Sequence, residues 1–346
     1  MTIRTAVIGF GTAGRVFHAP LVEAESRFTL AAVVTSSPER AAAVRERHPG
    51  AAVLPGVDEL IERAGEFDLV VVGSPNETHA PLALRAIGAG LNVVIDKPVA
   101  VTAREGRQVA EAARAAGVVL SVFQNRRWDG DFLTLRALLE RGELGTVHQF
   151  ESAFEWWKPR VGQRRKDLAP QDAGGGILYD LGPHLIDQAV QLFGPVREVH
   201  AELDTRRPGS PSDDDSFVSL LHAGGVRSRL WMSAVAPSAR PRFRVTGSEG
   251  VFVSQGLDPQ EQHSKAGLRP LDQGYGVHED GRTATVLTPD GGSRPVPLEP
   301  GEHLRFYRLL GDALTGGAPV PVDPDDPIAV LELIERAVAR GNRAVS

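Results

Sequence analysis

The stretch TAVIGFGTAG, residues 5–14, joins a short apolar run to a glycine-rich turn. Its glycines, Gly9, Gly11 and Gly14, form the pattern G-x-G-x-x-G, and apolar residues with helical spacing follow. In such a pattern the first glycine permits a tight turn, the second lets the backbone approach a pyrophosphate, and the third lets the helix pack close to the strand. The stretch therefore predicts a strand, a turn and a helix that bind a dinucleotide. A glycine turn without a ligand is the alternative.

Apolar runs and helical stretches alternate over the next hundred residues. The runs end at Val34, Val72, Asp96 and Phe123, and each is followed by polar or turn-forming residues. Strands that are apolar on both faces and alternate with helices are typical of a parallel sheet covered on each side. We predict an α/β chain whose residues 1–124 form an N-terminal Rossmann domain, a doubly wound parallel sheet that binds NAD(P).

The pattern changes after residue 124. Strand-like pieces follow one another without helical crossovers and are separated by glycine, proline and aspartate turns. They are 147–157, 196–203, 217–223, 227–236, 242–250 and 283–288. Residues 125–346 are therefore predicted as a C-terminal α+β domain with a large, mostly antiparallel open sheet. Helices are expected at 177–193, 302–315 and 327–340, and the last could pack back on the Rossmann domain.

The composition is that of an ordinary globular protein of 346 residues, with a net charge of −6 and no cysteine. This length favours two domains. The mildly acidic balance gives no sign of nucleic-acid or membrane binding. The absence of cysteine excludes disulfides and thiolate metal sites. No apolar run has the length of a membrane span, so we expect a cytoplasmic protein.

The residues after the second predicted strand bear on the choice of cofactor. An NAD site usually carries an acid there to hold the ribose hydroxyls. This chain has TSSPER at 35–40, and Ser36, Ser37 and Arg40 could hold a 2′-phosphate instead. NADP is therefore favoured over NAD. The alternative is that Ser37 and Pro38 cap the next helix and Arg40 is solvated.

Lys97 stands out among the polar residues that end the other strands. Only four of the 38 lysine and arginine residues are lysines, so a lysine at a strand end suggests a need for its compact, pKa-adjustable ammonium. Ligands of open parallel sheets bind beyond the carboxyl ends of the strands, where Lys97 is expected. A structural ion pair with Asp96 is the alternative.

Four motifs in order along the chain resemble one enzyme family. GFGTAG, PNETH, VVIDKPVA and GGGILYDLGPHLID together resemble the Gfo/Idh/MocA family of NAD(P)-dependent oxidoreductases. FGTAGRVFHAP, LSVFQNRRWDGDFLTLR and LYDLGPHLIDQ are similar to its scyllo-inositol dehydrogenase-like group. The family usually has Glu-Lys-Pro where this chain has Asp96-Lys97-Pro98, a change that shortens the acid and keeps the lysine.

The resemblance implies hydride transfer between nicotinamide C4 and a sugar or polyol carbon, with Lys97, Asp180 and His184 at the reacting oxygen. Pro183 is expected in the first turn of its helix, a position that proline favours. The helix N-terminus would then lower the pKa of His184 and keep it neutral, ready to accept the alcohol proton. Asp180 would orient the ring, and Lys97 would favour the developing alkoxide.

Strand ends and resemblance together predict two sets of contacts. The predicted cofactor contacts are Gly9, Phe10, Gly11, Thr12, Ala13, Gly14, Ser36, Ser37, Arg40, Ser74, Pro75, Asn76, His79, Asp96, Lys97, Pro98 and Asn125. The predicted substrate contacts are Lys97, Arg126, Trp157, Asp180 and His184. Asn125 and Arg126 could instead form a linker salt bridge, and Trp157 could belong to a core or an interface. No metal site is predicted.

The main functional hypothesis is an NADP-dependent or NAD-dependent dehydrogenase of a cyclitol or sugar. One alternative is a glycosidase that uses the nicotinamide transiently, and another is a non-catalytic, cofactor-sensing regulator. An intact set of Lys97, Asp180 and His184 argues against the regulator. The resemblance also implies that the domain 125–346 binds the substrate and forms a homodimer or homotetramer through its sheet.

Overall fold

The computed structural model describes residues 2–163, 167–278 and 280–341 and divides the chain into two compact units. The first unit consists of Met1–Asn125, Gln260–Tyr275 and Glu302–Ile328. The second consists of Arg126–Pro259, Gly276–Gly301 and Ala329–Ser346. The first unit thus includes two stretches that lie within the predicted domain 125–346.

The strands form two sheets. Their bounds are β1 Ile3–Ile8, β2 Phe28–Val34, β3 Ala52–Leu54, β4 Leu69–Val72, β5 Asn92–Asp96, β6 Leu120–Phe123, β7 Val147–Glu155, β8 Val196–Asp204, β9 Asp215–His222, β10 Arg227–Ser233, β11 Phe243–Gly247, β12 Val251–Ser254, β13 Thr283–Leu287 and β14 Ser293–Pro297. The first six belong to the first unit and the others to the second.

The helices complete both units. Their bounds are α1 Ala19–Ala24, α2 Pro38–Arg47, α3 Val57–Glu62, α4 His79–Gly88, α5 Ala103–Ala116, α6 Gly130–Glu140, α7 Ile177–Phe193, α8 Gln260–Ala266, α9 Leu304–Gly316 and α10 Asp325–Gly341. In the described part of the chain, no helix combines the length and the apolar character that a membrane crossing needs.

The first sheet has the order β3-β2-β1-β4-β5-β6, and all its pairings are parallel. This order confirms the predicted Rossmann-type sheet. Its central strands are buried on both faces; β4, for example, is buried at all four residues. Strand β3 was not predicted, because its three residues are too few to show a period.

The second sheet has the order β14-β13-β12-β11-β7-β10-β9-β8. Only β7 and β10 pair in parallel among its described strands, which confirms a mostly antiparallel open sheet. Strands β12 and β14 were not predicted. Pro295 and Pro297 obscure β14 as a strand, since proline lacks the amide that a sheet interior needs and is tolerated at an edge.

Helix α7 has the predicted bounds, and its start is fixed from outside the helix. The Ile177 amide donates to the backbone carbonyl of Asp213 at 2.9 Å, and the Leu178 amide donates to its carboxylate at 2.8 Å. Gly176, with φ of 98°, leaves room for this aspartate, because a Cβ there would lie 1.9 Å from Oδ1 of Asp213. Asp213 therefore satisfies amides that begin the helix without a partner.

Pro183 lies inside α7, so its predicted position in the first turn is wrong. The helix begins at Ile177, which makes Pro183 its seventh residue and His184 its eighth. The effect of a helix N-terminus falls off within one turn. It therefore reaches Asp180, the fourth residue, and not His184, so the predicted influence of the helix N-terminus on His184 is wrong.

Helix α10 has residues in both units. In the first unit, Asp325 pairs with Arg114 of α5 at 2.6 Å. In the second unit, Arg336 donates to the carbonyl of Arg197 at 3.0 Å, and Arg340 donates to the carbonyl of Val199, also in β8. The C-terminal part of α10 thus lies along the edge strand β8.

Candidate active site

The glycine loop after β1 has one open position and two crowded ones. A Cβ on Gly9, whose φ is 93°, would lie 2.8 Å from the Gly73 carbonyl oxygen, and one on Gly14 would lie 2.1 Å from the Gly9 carbonyl oxygen. At Gly11 the same atom would meet nothing within 4 Å. Gly9 and Gly14 therefore permit close packing, whereas Gly11 leaves open backbone that a pyrophosphate can approach. These residues fit a dinucleotide.

A helical segment follows this loop. Residues Ala13–His18 form a π-helical segment that continues into α1, and the Arg15 amide donates to the Gly11 carbonyl at 3.0 Å. Amides at such a helix start favour phosphate groups. Phe10 is buried with its ring edge-on to His48 at 5.7 Å, so only its backbone is available to a cofactor.

The residues at the tip of β2 show the helix cap and the exposed arginine of the structural alternative, and a contact of Ser36 and Arg40 with a 2′-phosphate stays a prediction. The Ser37 hydroxyl accepts from the Arg40 amide at 3.3 Å and so caps α2, as the structural alternative proposed. Ser36 and the side chain of Arg40 are exposed. The tip therefore offers one hydroxyl and one guanidinium to a ligand, and its only acid is the exposed Glu39 in the first turn of α2.

Asp96 precedes Lys97 at the end of β5 and lies next to a buried histidine. Its carboxylate is 3.7 Å from Nε2 of His18, and Nδ1 of His18 is 2.8 Å from the Tyr307 hydroxyl. Burial alone would raise the pKa of Asp96, but His18 and the charge of Lys97 outweigh it and lower that pKa. Burial also holds the Tyr307 pKa well above its ordinary value. Asp96 is thus an anion beside Lys97.

His79 begins α4 and is buried, with 1% of its surface exposed. Its Nδ1 lies 2.7 Å from the Pro98 carbonyl oxygen and its Nε2 lies 2.8 Å from the Ser74 carbonyl oxygen. Both ring nitrogens are therefore engaged by the backbone, which leaves none for the predicted cofactor contact. Pro75 is exposed and Asn76 half-buried in the same loop, and the Lys97-Pro98 peptide is cis.

In the second unit, His184 and Asp180 lie one turn apart on α7. A spacing of four residues puts two side chains on the same face of a helix. His184 is buried and Asp180 half-buried. The His184 ring lies edge-on to Phe154 of β7, with centroids 6.2 Å apart. The guanidinium of Arg242 lies 4.1 Å from the centre of the same Phe154 ring, and that of Arg126 lies 5.6 Å from it.

Arg242 also ties α7 to its surroundings. It donates to the side-chain oxygen of Gln188 at 2.6 Å, and the side-chain nitrogen of Gln188 donates to the Arg126 carbonyl at 2.7 Å. Arg242 is buried, and its Nε lies 3.9 Å from the Asp131 carboxylate. Burial raises the pKa of Asp131 to about 7, against the opposing effect of Arg242. This buried network of Arg242, Gln188, Asp131 and Phe154 fixes the surroundings of His184.

The two arginines after β6 are held in ion pairs inside the second unit. Arg127 forms a bidentate pair with Asp187 at 2.8 and 2.5 Å, and Arg126 lies 3.4 Å from Asp129. Both arginines are buried. Trp157, predicted as a substrate contact, is 56% exposed and bridges to Val235 of the same unit.

Sequence reasoning missed several residues of this region. Gln188 had a usable signal, since it lies four residues after His184 on the same helix face. Phe154 sits in a strand that was predicted, but nothing marked its ring as a partner of His184. Arg242 is one of many arginines, and Asp213 is one of three consecutive aspartates, so neither stood out.

A Rossmann sheet with an open glycine loop defines a dinucleotide-binding protein. The description "Oxidoreductase family, NAD-binding Rossmann fold" matches residues 3–124, and "GFO/IDH/MocA C-terminal domain" matches residues 132–253. The chain belongs to the Gfo/Idh/MocA family of oxidoreductases.

Similar proteins match over nearly the whole chain. The uncharacterized oxidoreductase YdgJ of Escherichia coli is 39% identical, covering 97% of this chain and 95% of that protein. The scyllo-inositol 2-dehydrogenase (NADP(+)) IolW of Bacillus subtilis is 32% identical, covering 97% and 93%. The solved structure of YPO2259 from Yersinia pestis is 39% identical and covers 99% and 95%, with a TM-score of 0.91.

Proposed function

We propose that this oxidoreductase transfers a hydride between NADP and a secondary hydroxyl of a cyclitol or sugar. The pair Asp180 and His184, one turn apart on α7, carries the proposal, because it sets a potential base and its carboxylate partner on one helix face. The similarity to a relative named scyllo-inositol 2-dehydrogenase supports the substrate class.

The cofactor would be held mainly by backbone. The open surface at Gly11 and the helical segment after it would take the pyrophosphate, with Thr12 and Ala13 lining the turn. Ser36 and Arg40 would take the 2′-phosphate that distinguishes NADP. Bound NADP supplies the hydride acceptor at nicotinamide C4. The loops at Ser74 to Asn76 and at Asn125 would lie toward the nicotinamide.

The substrate oxygen would meet three side chains. Lys97 would donate a hydrogen bond to this oxygen and favour the developing alkoxide. His184 would accept the hydroxyl proton, and Asp180 would orient the imidazole and favour its charged form. Arg126 and Trp157 would contact the remaining hydroxyls and the ring face.

Absorbance at the nicotinamide band tests the proposal with a panel of inositols and aldoses. We expect reduction of NADP with at least one panel member. Tight binding of NADP without turnover of any member would contradict the dehydrogenase, and cleavage of a glycoside without net reduction of NADP would indicate the glycosidase instead.

Arg40→Ala tests the cofactor preference. We expect the dissociation constant for NADP to rise about tenfold or more and that for NAD to stay near its original value, because loss of a charge-assisted contact affects only the 2′-phosphate. Arg45→Ala, an exposed arginine on the same helix, is the matched control. Equal effects of Arg40→Ala on both cofactors would contradict the assignment.

We also propose a homo-oligomer formed through the outer face of the second sheet. Phe217 of β9 and Trp231 of β10 are opposite each other there, with ring centroids 5.3 Å apart, and Arg229 and Glu202 add opposite charges nearby. Aromatic residues and arginine are enriched in protein interfaces. Trp231→Glu is expected to shift sedimentation toward the monomer; an unchanged profile would contradict this interface.

A further inference from the structure

The two hydrogen-bond partners of His79 define its charge. Both are backbone carbonyl oxygens, Ser74 O at 2.8 Å from Nε2 and Pro98 O at 2.7 Å from Nδ1. A carbonyl oxygen accepts hydrogen bonds and cannot donate them, whereas a neutral imidazole has a single N–H. A neutral His79 would therefore point one nitrogen lone pair at an oxygen lone pair, at hydrogen-bond distance and away from water.

His222 in the second unit has one carbonyl partner and one hydroxyl partner. Its Nδ1 lies 2.8 Å from the Gly194 carbonyl oxygen, but its Nε2 lies 2.8 Å from the Ser228 hydroxyl. A hydroxyl can donate as well as accept, so a neutral His222 satisfies both contacts. Burial lowers the pKa of His222, in agreement with a neutral ring. The two histidines are both buried and both doubly bonded, and they differ in one partner.

Some of the charges near His79 favour its protonated form, and others oppose it. The anionic Asp96 at the end of β5 favours a positive His79 and is itself favoured by that charge. Lys97, His18 when protonated, burial and the positive end of α4 oppose the charge. The two direct hydrogen bonds to carbonyl oxygens are charge-assisted, and such bonds are about twice as strong as neutral ones. Together with Asp96 they favour the imidazolium.

We propose that His79 is held as an imidazolium and acts as a positioning residue for Lys97. Its two N–H groups join the segment after β4, at Ser74, to the segment after β5, at Pro98, which directly follows Lys97. Strands β4 and β5 are neighbours in the sheet. His79 thus sets the separation of two adjacent strand ends and with it the backbone that carries Lys97. The effect on catalysis rests on the proposed role of Lys97; the charge does not.

Protonation of the His79 ring can be observed directly. Full-length protein labelled with ¹⁵N-histidine, studied by long-range ¹H–¹⁵N correlation at pH 8, is expected to show both His79 nitrogens protonated and only one His222 nitrogen protonated. His79→Gln and His222→Gln assign the two sets of signals. A non-protonated His79 nitrogen at pH 8 would overturn the proposed charge whether or not the protein turns over a polyol.

Kinetics of the same variants test the positioning role. His79→Gln has both of its N–H donors on one uncharged nitrogen, which cannot reach the two carbonyl oxygens that the separate ring nitrogens contact. We therefore expect kcat to fall about tenfold to a hundredfold, as small displacements of catalytic groups do. The dissociation constant for NADP should rise by a smaller factor than that by which kcat falls, because the pyrophosphate contact proposed at Gly11 does not involve His79. His222→Gln should keep the kcat of the original protein. A His79→Gln protein with unchanged kcat would overturn the positioning role. Absence of turnover in the unmodified protein would instead count against the proposed function, and the NMR result would stand.

Discussion

The two regions proposed for cofactor binding and for chemistry are built in different ways. In the first unit the glycine loop after β1 depends on backbone: Gly11 is open, and Gly9 and Gly14 pack against carbonyl oxygens. In the second unit the surroundings of His184 depend on side chains far apart in sequence, such as Phe154 and Arg242. A backbone site is encoded in one short motif, whereas a side-chain site is distributed over several elements. Substitutions should therefore separate cofactor binding from chemistry.

The largest expected effect is that of His184→Ala, which removes the proposed base. We expect kcat to fall about a thousandfold, within the usual range for loss of a general base. The dissociation constant for NADP, measured by fluorescence titration, should stay within about twofold of its original value, because the glycine loop lies in the other unit. An equal loss of cofactor affinity would remove the distinction between the two regions.

Arg127→Ala tests how far the second region depends on buried ion pairs. The side chains of Arg127 and Asp187 are 9% and 3% exposed, so the variant leaves a buried carboxylate without its bidentate partner. We expect the free energy of unfolding, measured in urea, to fall by about 3 kcal/mol or more. The matched control is Arg63→Ala, whose pairs with Glu59 and Glu66 are on the surface, and it should change stability little. Similar losses in both variants would contradict this expectation.

Gly11→Ala tests the backbone character of the first region. The added Cβ has space in the protein, so stability should hardly change, but it would occupy the backbone surface proposed for the pyrophosphate. We expect cofactor affinity to fall about tenfold or more by titration. Gly14→Ala is the contrasting variant, since its Cβ would lie 2.1 Å from a carbonyl oxygen and should destabilise the fold itself. An undiminished affinity of Gly11→Ala for NADP would contradict the proposed contact between the Gly11 backbone and the pyrophosphate.

Asp131→Asn addresses the pH dependence of the buried network around Arg242. The folded-state pKa of Asp131 is raised to about 7, above its ordinary value of 3.8. Between these two pKa values the folded protein keeps a proton that the unfolded chain has lost. The free energy of unfolding therefore includes the full contribution of Asp131 below pH 4, and this contribution is lost as the pH rises to 7. The slope is at most about 1.4 kcal/mol per pH unit. Asp131→Asn should flatten the decline in unfolding free energy between pH 4 and pH 7; an unchanged decline would argue against a raised pKa.

The fold was largely predictable because its signals are local. The glycine motif, the alternating apolar runs and the helical spacing at 177–193 each lie within a single element. Strands β3 and β14 escaped prediction for equally local reasons, one being too short and the other interrupted by prolines.

The candidate site was predictable only in part. Lys97, Asp180 and His184 could be named as candidates from motifs and from resemblance, and their roles stay predictions. The place of Pro183 within α7 already follows from the predicted bounds 177–193, so its assignment to the first turn was an avoidable error. The sequence could not show that Asp213 fixes the helix start from a segment more than thirty residues away. In the same way, nothing in the local sequence of Arg242 indicates that it stacks on Phe154 and holds Gln188.

The two edges of the second sheet have a consequence for how this protein behaves at high concentration. An exposed edge strand offers unpaired amides and carbonyls to which another chain can add, a route to aggregation. At β8, arginines of α10 already occupy outward carbonyls, and at β14, Pro295 and Pro297 have no amide to donate. Strand addition is thus disfavoured at both ends. If the proposed association occurs through the face of this sheet, its edges would therefore add little to non-specific strand pairing.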